Sequence, residues 1–513
     1  MNDEKTTISW RWAAVVSLLF ILLVNALVIF RTASNFAPLP HNYLVSALQI
    51  YYSRPAGTPT GEETAYEPRT LDNTRFSPLY RLAVLFARLG RPSPAWFRLS
   101  GLVFVALLFI TAYFVPRPPS TTGDRLIGAL LVTTAPVVQH VGRLLDDHVC
   151  HLWFLLLGVL LLNRGGKRTR FVFFALPVAD LLCDHNLTYW LLTCLGLAGM
   201  YGWWLIRRSG LLKEKKGLAV ELAGWCASGA LVVPLLVIRF GVDGGLWSAI
   251  RQVFGYYTGE MGGAEPRTWA IVFRELWTYP GTILLVTAGP LLCALALAQI
   301  VPSRRGATTG LAAASVLLPL CLLALVGKKE FFYTFPMTLG VPLLAAETAA
   351  RLRRPWKALV IAYCLLSVLA PLTTREAPWK EWASATRFRH SQSDWAPEPG
   401  RYPDSFYAAL AQRTLAALPA CGDIAGRALL ARRSAESQLD RDALWFALLS
   451  ESRRPLYYTD ASLAWLRFGE RLIVVDYGRA SAPSSGAEDL AIEASLPVAY
   501  RDAEIAVRCR PVP

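Results

Sequence analysis

The sequence predicts a polytopic α-helical membrane protein of about eleven crossings, followed by a small α/β domain outside the membrane. Three observations predict it. Hydrophobic residues make up 54% of the 513-residue chain and gather into runs separated by polar loops. Lys and Arg fall on alternate loops, as they do when cytoplasmic loops retain positive charge. Beyond residue 373 the runs stop and the composition becomes that of a soluble domain.

The apolar runs are 12–30, 97–115, 126–141, 149–163, 171–183, 187–206, 218–239, 280–300, 308–326, 331–349 and 357–373. With the N-terminus in the cytoplasm, the inner segments are 1–11, 116–125, 163–170, 206–217, 302–307 and 350–357. These hold nineteen Lys and Arg, whereas the short outer loops hold three: Arg143, Lys328 and Lys329. Eleven crossings place the C-terminus outside, in the arrangement of a plasma-membrane (bacterial inner-membrane) protein. Several runs are shorter than the ~20 residues that cross a bilayer upright. The pair 171–183 and 187–206 reads as a broken hairpin. The first run is too long for the apolar stretch of a cleaved signal, so it is expected to stay as an anchor.

The net charge of +15 belongs to the membrane part. Residues 374–513 are neutral, with eighteen basic and eighteen acidic side chains. Positive charge dispersed over inner loops excludes nucleic acid as a partner and points to anionic headgroups of the bilayer.

Domain boundaries follow from these shifts. Residues 1–373 form the membrane domain, with long outer loops at 31–96 and 240–279; 374–403, rich in Trp, Pro and charge, is a linker; 404–513 is the extracytoplasmic domain. In that domain, helices are expected at 405–418, with Phe406, Leu410 and Leu418 inward, and at 435–451. Strands are expected at 455–459 and 471–476, with a terminal hairpin of 496–501 and 504–509. Only Cys421 and Cys509 of the nine cysteines lie there, and one pair in an oxidising compartment suggests a disulfide. The other seven read as small apolar packing residues.

Chemistry concentrates in the outer loops. The stretch Gln139-His-Val-Gly-Arg-Leu-Leu-Asp-Asp-His-Val-Cys-His151 is the densest ionisable set beside any span. Arg143 and Asp147, four apart, share a helical face and suit an ion pair. His148 and His151 are three apart, and Asp147 and His151 four apart, a spacing compatible with a divalent metal. A salt-bridged loop end is the competing reading. Asp180, Asp184 and His185 lie at the tip of the short hairpin, where acids need a wet cavity or partners. Lys328 and Lys329 on an outer loop suit a lipid phosphate, or else snorkel to headgroups.

The order of these pieces resembles the GT-C superfamily of integral-membrane glycosyltransferases, which use polyprenyl-phosphate sugars, in the manner of protein mannosyltransferases and aminoarabinose transferases. The first span is followed by a long outer loop with two interfacial helices. Phe76-Ser-Pro-Leu-Tyr80 is similar to the family's Pro-Leu-Tyr. Ala135-Pro136, then Arg143 and Asp147, then Leu152-Trp-Phe-Leu-Leu156 resemble its Pro…Arg…Asp…Phe-Phe-x-Leu pattern. Lys329-Glu-Phe-Phe-Tyr-Thr-Phe-Pro336 is similar to its late Lys/Arg-Tyr-x-x-Pro stretch. The resemblance covers most of the chain.

The resemblance implies inverting transfer of a sugar from a polyprenyl-phosphate donor to a lipid, glycan or protein hydroxyl at the outer face. It implies Asp147, Asp146 or His41 as the base, and Arg143, His148, Lys328, Lys329, Tyr80, Tyr333, Asp184 and His185 as substrate-binding residues. No cofactor is certain, and Asp147 and His151 are the candidates for a divalent metal. The chain departs from the family in one respect. Members carry an acidic pair soon after the first span, and here no Asp or Glu occurs from Arg31 to Gly61. That departure gives the alternative reading, a non-catalytic protein that binds or assembles lipid-linked saccharides. A transporter is disfavoured, because the chain lacks paired halves with similar broken spans.

Overall fold

The structure is a computed structural model. It describes residues 2–32, 47–48, 51–52, 78–116, 120–143, 145, 148–183, 187–207, 215–240, 269–270, 289–300, 310, 312–313, 335–373, 404–423, 427–433, 441–453, 457–458, 472–477 and 496–510. The chain divides into two compact units. One comprises 1–30, 77–79 and 98–396; the other comprises 31–76, 80–97 and 397–513. The first outer loop thus groups with the C-terminal domain.

The helices are α1 (Asn2–Thr32), α2 (Pro78–Leu89), α3 (Pro94–Phe114), α4 (Thr122–Thr133), α5 (Pro136–Arg143), α6 (His148–Arg164), α7 (Lys167–Cys183), α8 (Leu187–Arg207), α9 (Lys215–Phe240), α10 (Pro290–Leu297), α11 (Phe335–Ala349) and α12 (Arg354–Thr373). Among the described residues, Trp10–Arg31 and Pro94–Phe114 are each long and apolar enough to cross a membrane alone. The expected runs at 149–163, 187–206, 218–239, 331–349 and 357–373 lie on α6, α8, α9, α11 and α12; most of 308–326 lies outside the described residues.

The run 126–141 is not one helix. It breaks at Thr134 and Ala135, and α5 restarts at Pro136. Proline has no N–H to donate and disfavours helical backbone in the residue before it, so a helix ends ahead of it and another begins on it. The carbonyls of the last turn of α4 find side chains instead. Thr133 Oγ1 donates to Ala129 O at 2.7 Å and Thr134 Oγ1 to Leu130 O at 2.8 Å. α4 opens with a capping box: Thr121 Oγ1 accepts from Asp124 N at 3.2 Å, and Thr121 N donates to the Asp124 carboxylate at 3.1 Å.

Polar contacts join the helices of the first unit. At one end, Lys357 of α12 meets Asp124 of α4 at 2.6 Å. Asn163 Nδ2 of α6 donates to Val115 O, just past α3, at 3.3 Å. Glu221 of α9 receives both Arg170 of α7 and the Tyr201 hydroxyl of α8. Tyr201 stacks on Phe173 and Trp204, with Trp225 edge-on, so this ion pair sits in an aromatic box. All these residues flank the segments expected inside. α7 runs four residues further toward this end than its apolar run, which gives it 17 residues. The expected short arm of a broken hairpin is thus a full helix, with Pro177 inside it and the Pro177 carbonyl accepting the Trp190 indole N–H at 2.8 Å.

In the second unit, α13 (Asp404–Ala417) and α14 (Arg441–Ser452) accompany a five-stranded sheet of order β2-β1-β3-β5-β4. Its strands are β1 (Ala428–Arg433), β2 (Tyr457–Tyr458), β3 (Leu472–Tyr477), β4 (Val498–Arg501) and β5 (Ile505–Arg508). β1 pairs in parallel with both β2 and β3, while β5 runs antiparallel to β3 and to β4. The central β1 is a strand that the sequence reading lacks. α13 buries Leu410, and Leu418 follows it buried, as expected, whereas Phe406 is half-buried and Tyr407 is the fully buried aromatic beside Ala411. Cys421 and Cys509 form a disulfide with a Cα–Cα distance of 5.8 Å. The rings of Phe97 and Phe446 meet edge-on at 6.5 Å, and those of Tyr51 and Phe97 at 6.3 Å, tying the loop residues of this unit to α14.

Candidate functional site

At the opposite end of the helical unit, the end expected outside, polar side chains from five helices are buried. Asn25 interrupts the apolar run of α1 with a side chain that hydrocarbon cannot solvate. Its Oδ1 accepts the Arg143 Nε at 2.5 Å, from the last residue of α5. Gln139, one turn earlier on α5, accepts the Arg143 Nη2 on its Oε1 at 3.0 Å. Asn25 and Gln139 are buried, while Arg143 keeps partial exposure.

The next three helices hold a second polar set. His151, on the first turn of α6, places its Nδ1 2.7 Å from an Asp180 carboxylate oxygen near the end of α7. The Thr193 hydroxyl of α8 lies 3.2 Å from the same nitrogen. All three are fully buried. His148, one turn before, is also buried, with its ring centroid 6.4 Å from that of His151. A carboxylate in a membrane helix is costly unless partnered, and His151 is that partner.

Of the residues expected from the sequence, Arg143 bonds Asn25 and Gln139, while His148 and His151 lie with ring centroids 6.4 Å apart. Tyr80 is fully buried in the other unit. His41, Asp146, Asp147, Asp184, His185, Lys328, Lys329 and Tyr333 lie outside the described residues. Among the described residues, no three His, Cys, Asp or Glu side chains gather as a metal-ligand set. The proposed metal partner of His151, Asp147, is outside them, and the His151 Nδ1 is engaged by Asp180. Sequence reasoning missed Asn25 and Thr193 as members of the site. For Asn25 the signal was there, an amide inside an apolar run; Thr193 gave none, because threonine is common in such helices.

No family model matches the sequence, and no curated protein matches it. Among solved structures, the chain is similar to ArnT from Cupriavidus metallidurans, in the crystal structure bound to undecaprenyl phosphate and in the apo structure. Each has a TM-score of 0.55 at 14% identity and covers 98% of both chains. A more distant likeness reaches the arabinofuranosyltransferase AftD from Mycobacteria, with a TM-score of 0.48 at 16% identity over 91% of this chain and 35% of that one. The ArnT likeness covers 98% of the chain, so the chain has the fold of ArnT.

Proposed function

We propose that the protein is an inverting glycosyltransferase, moving a sugar from a polyprenyl-phosphate donor to a hydroxyl acceptor at the outer face of the membrane. The observation that carries this reading is Arg143: a half-buried guanidinium at the C-terminal end of α5, bound by two neutral amides and, among the described residues, by no carboxylate. It supplies positive charge where the donor phosphate must depart, in a fold shared with a protein solved bound to undecaprenyl phosphate.

In this reading a base, Asp147, Asp146 or His41, removes the proton of the acceptor hydroxyl. The acceptor oxygen bonds to the anomeric carbon from the face opposite the phosphate, and the carbon–oxygen bond to phosphate breaks with its electron pair leaving on the phosphate. Arg143, Lys328 and Lys329 stabilise that growing charge. Tyr80, Tyr333, His148, Asp184 and His185 contact the substrates. The N-terminus lies in the cytoplasm and the C-terminal domain outside, over the acceptor.

The absence of Asp and Glu between Arg31 and Gly61 favours a second reading, a binding or assembly protein for lipid-linked saccharides that has lost its base. Full-length protein in detergent, given polyprenyl-phosphate sugars and hydroxyl acceptors, separates the two. Release of polyprenyl phosphate that is abolished in a folded Asp147→Ala variant supports transfer through Asp147. Transfer unchanged in that variant removes Asp147 from the mechanism. Tight binding of the lipid with no transfer to any acceptor overturns the enzyme reading in favour of the second.

A further inference from the structure

Arg143 is held in place by two amides and, among the described residues, by no carboxylate. Because a guanidinium only donates, the amide atoms facing it at Asn25 and Gln139 are oxygens. That orientation turns both amide nitrogens toward acceptors. Asn25 Nδ2 donates to Ile21 O of α1 at 2.7 Å, and the Gln139 Nε2 donates to Thr133 O, a carbonyl beside the break before Pro136. Each amide therefore bridges a backbone carbonyl and the guanidinium, and neither has a second orientation that satisfies both neighbours. Two helices thereby fix the Arg143 fork at two of its nitrogens.

A carboxylate at either position would hold the guanidinium more strongly, through a charge-assisted hydrogen bond, and is the ordinary partner of a half-buried arginine. An amide gives the same geometry and leaves the full positive charge. Such a site suits an incoming anion with several oxygens, since the remaining guanidinium N–H groups form a rigid fork that matches phosphate.

We propose that Asn25 and Gln139 are positioning residues that hold Arg143 with its charge uncompensated, ready for the phosphate of a polyprenyl phosphate. This rests on the function proposed above and adds to it the two amides and the reason they are amides. The charge-preserving role and a merely structural one make opposite predictions for an acidic replacement. Asn25→Asp and Gln139→Glu keep the shape and the oxygen that accepts from Arg143 but lose the donor to Ile21 O or Thr133 O, and by cancelling the charge they weaken binding of an anion selectively.

The test uses full-length protein in detergent, titrated with undecaprenyl phosphate and, separately, with undecaprenol, and followed by the shift in melting temperature. Wild type is expected to prefer the phosphate. Asn25→Asp and Gln139→Glu are each expected to lose tenfold or more in affinity for undecaprenyl phosphate while binding undecaprenol unchanged; a lower melting temperature without lipid reports the lost amide-to-carbonyl hydrogen bond. If both acidic variants bind the phosphate as wild type does while Arg143→Gln loses the preference, the inference about the amides is overturned and the phosphate site stands. If wild type shows no preference, or Arg143→Gln retains it, the phosphate site itself fails and the inference falls with it.

Discussion

His151 and Asp180 are paired at 2.7 Å from successive helices, both fully buried, in a stretch where each alone would be a costly intrusion into hydrocarbon. Neither residue is expensive once it has the other. The pair joins α6 to α7, and Thr193 adds α8, so a single imidazole nitrogen ties three helices together.

Breaking this pair from one side should therefore cost more than removing it altogether. Asp180→Leu or His151→Leu alone is expected to destabilise the protein by roughly 2–4 kcal/mol, because a buried polar group is left without its partner. The double variant should be less destabilised than the sum of the two. Reversible unfolding in mixed detergent micelles measures all three. A single Asp180→Leu variant as stable as wild type would show that the pair contributes nothing to holding the helices.

The other end of the bundle carries a titration that can be read outside the spans. Burial tends to raise the Asp124 carboxyl, but hydrogen bonds from Lys357, from the Thr121 hydroxyl and from the Thr121 N–H outweigh it and hold it below its ordinary value. A carboxyl lowered by folding contributes stability above its unfolded pKa, about 3.9, and that stability is lost as pH falls through the lower folded value. Wild type should lose thermal stability progressively below about pH 4, and Asp124→Asn should show a shallower acid limb. Thr121→Ala, which removes the cap, is expected to cost about 1 kcal/mol at neutral pH. An acid limb identical in wild type and Asp124→Asn would assign the acid sensitivity elsewhere.

What could be read from the sequence follows how local each feature is. The helices of the membrane part announce themselves because 15–20 consecutive apolar residues have no other common explanation. β3, Leu-Ile-Val-Val-Asp-Tyr, was legible for a similar reason, being β-branched and apolar. β1, Ala-Leu-Leu-Ala-Arg-Arg, was not. Ala, Leu and Arg are good helix formers, and this segment is a strand because parallel partners lie on both of its edges, which no local pattern records. The break at Ala135-Pro136 was written in the proline but overridden by the continuous apolar run around it.

The site divides in the same way. Arg143, His148 and His151 stand out because charge beside a span is rare. Their partners do not: Asn25 lies 118 residues from Arg143, and Asp180 lies 29 from His151. Asp180 is visible as an acid in a span, but its partner is chosen by the packing of α6 on α7. The sequence pattern finds the costly residue, and tertiary structure supplies what compensates it.

The disulfide offers a prediction about both stability and sidedness. Cys421 ends the short 3-10 turn after α13 and Cys509 follows β5, so the bridge closes a loop whose ends are 88 residues apart and encloses the whole sheet. Arg427 reinforces the same junction, donating to Cys421 O at 2.7 Å and to Arg510 O at 3.1 Å. Closing so long a loop restricts the unfolded chain, and removing the bridge is expected to cost about 2–5 kcal/mol. Cys421→Ser, Cys509→Ser and the double variant should be destabilised to a similar extent. Reductant should lower the melting temperature of wild type and leave the double variant unchanged. Such a bridge persists in an oxidising compartment, so protein taken from its native membrane should resist alkylation at both positions until reduced. Alkylation of Cys421 and Cys509 without reductant would count against an outer location for this domain, and with it against an acceptor chosen outside the cell.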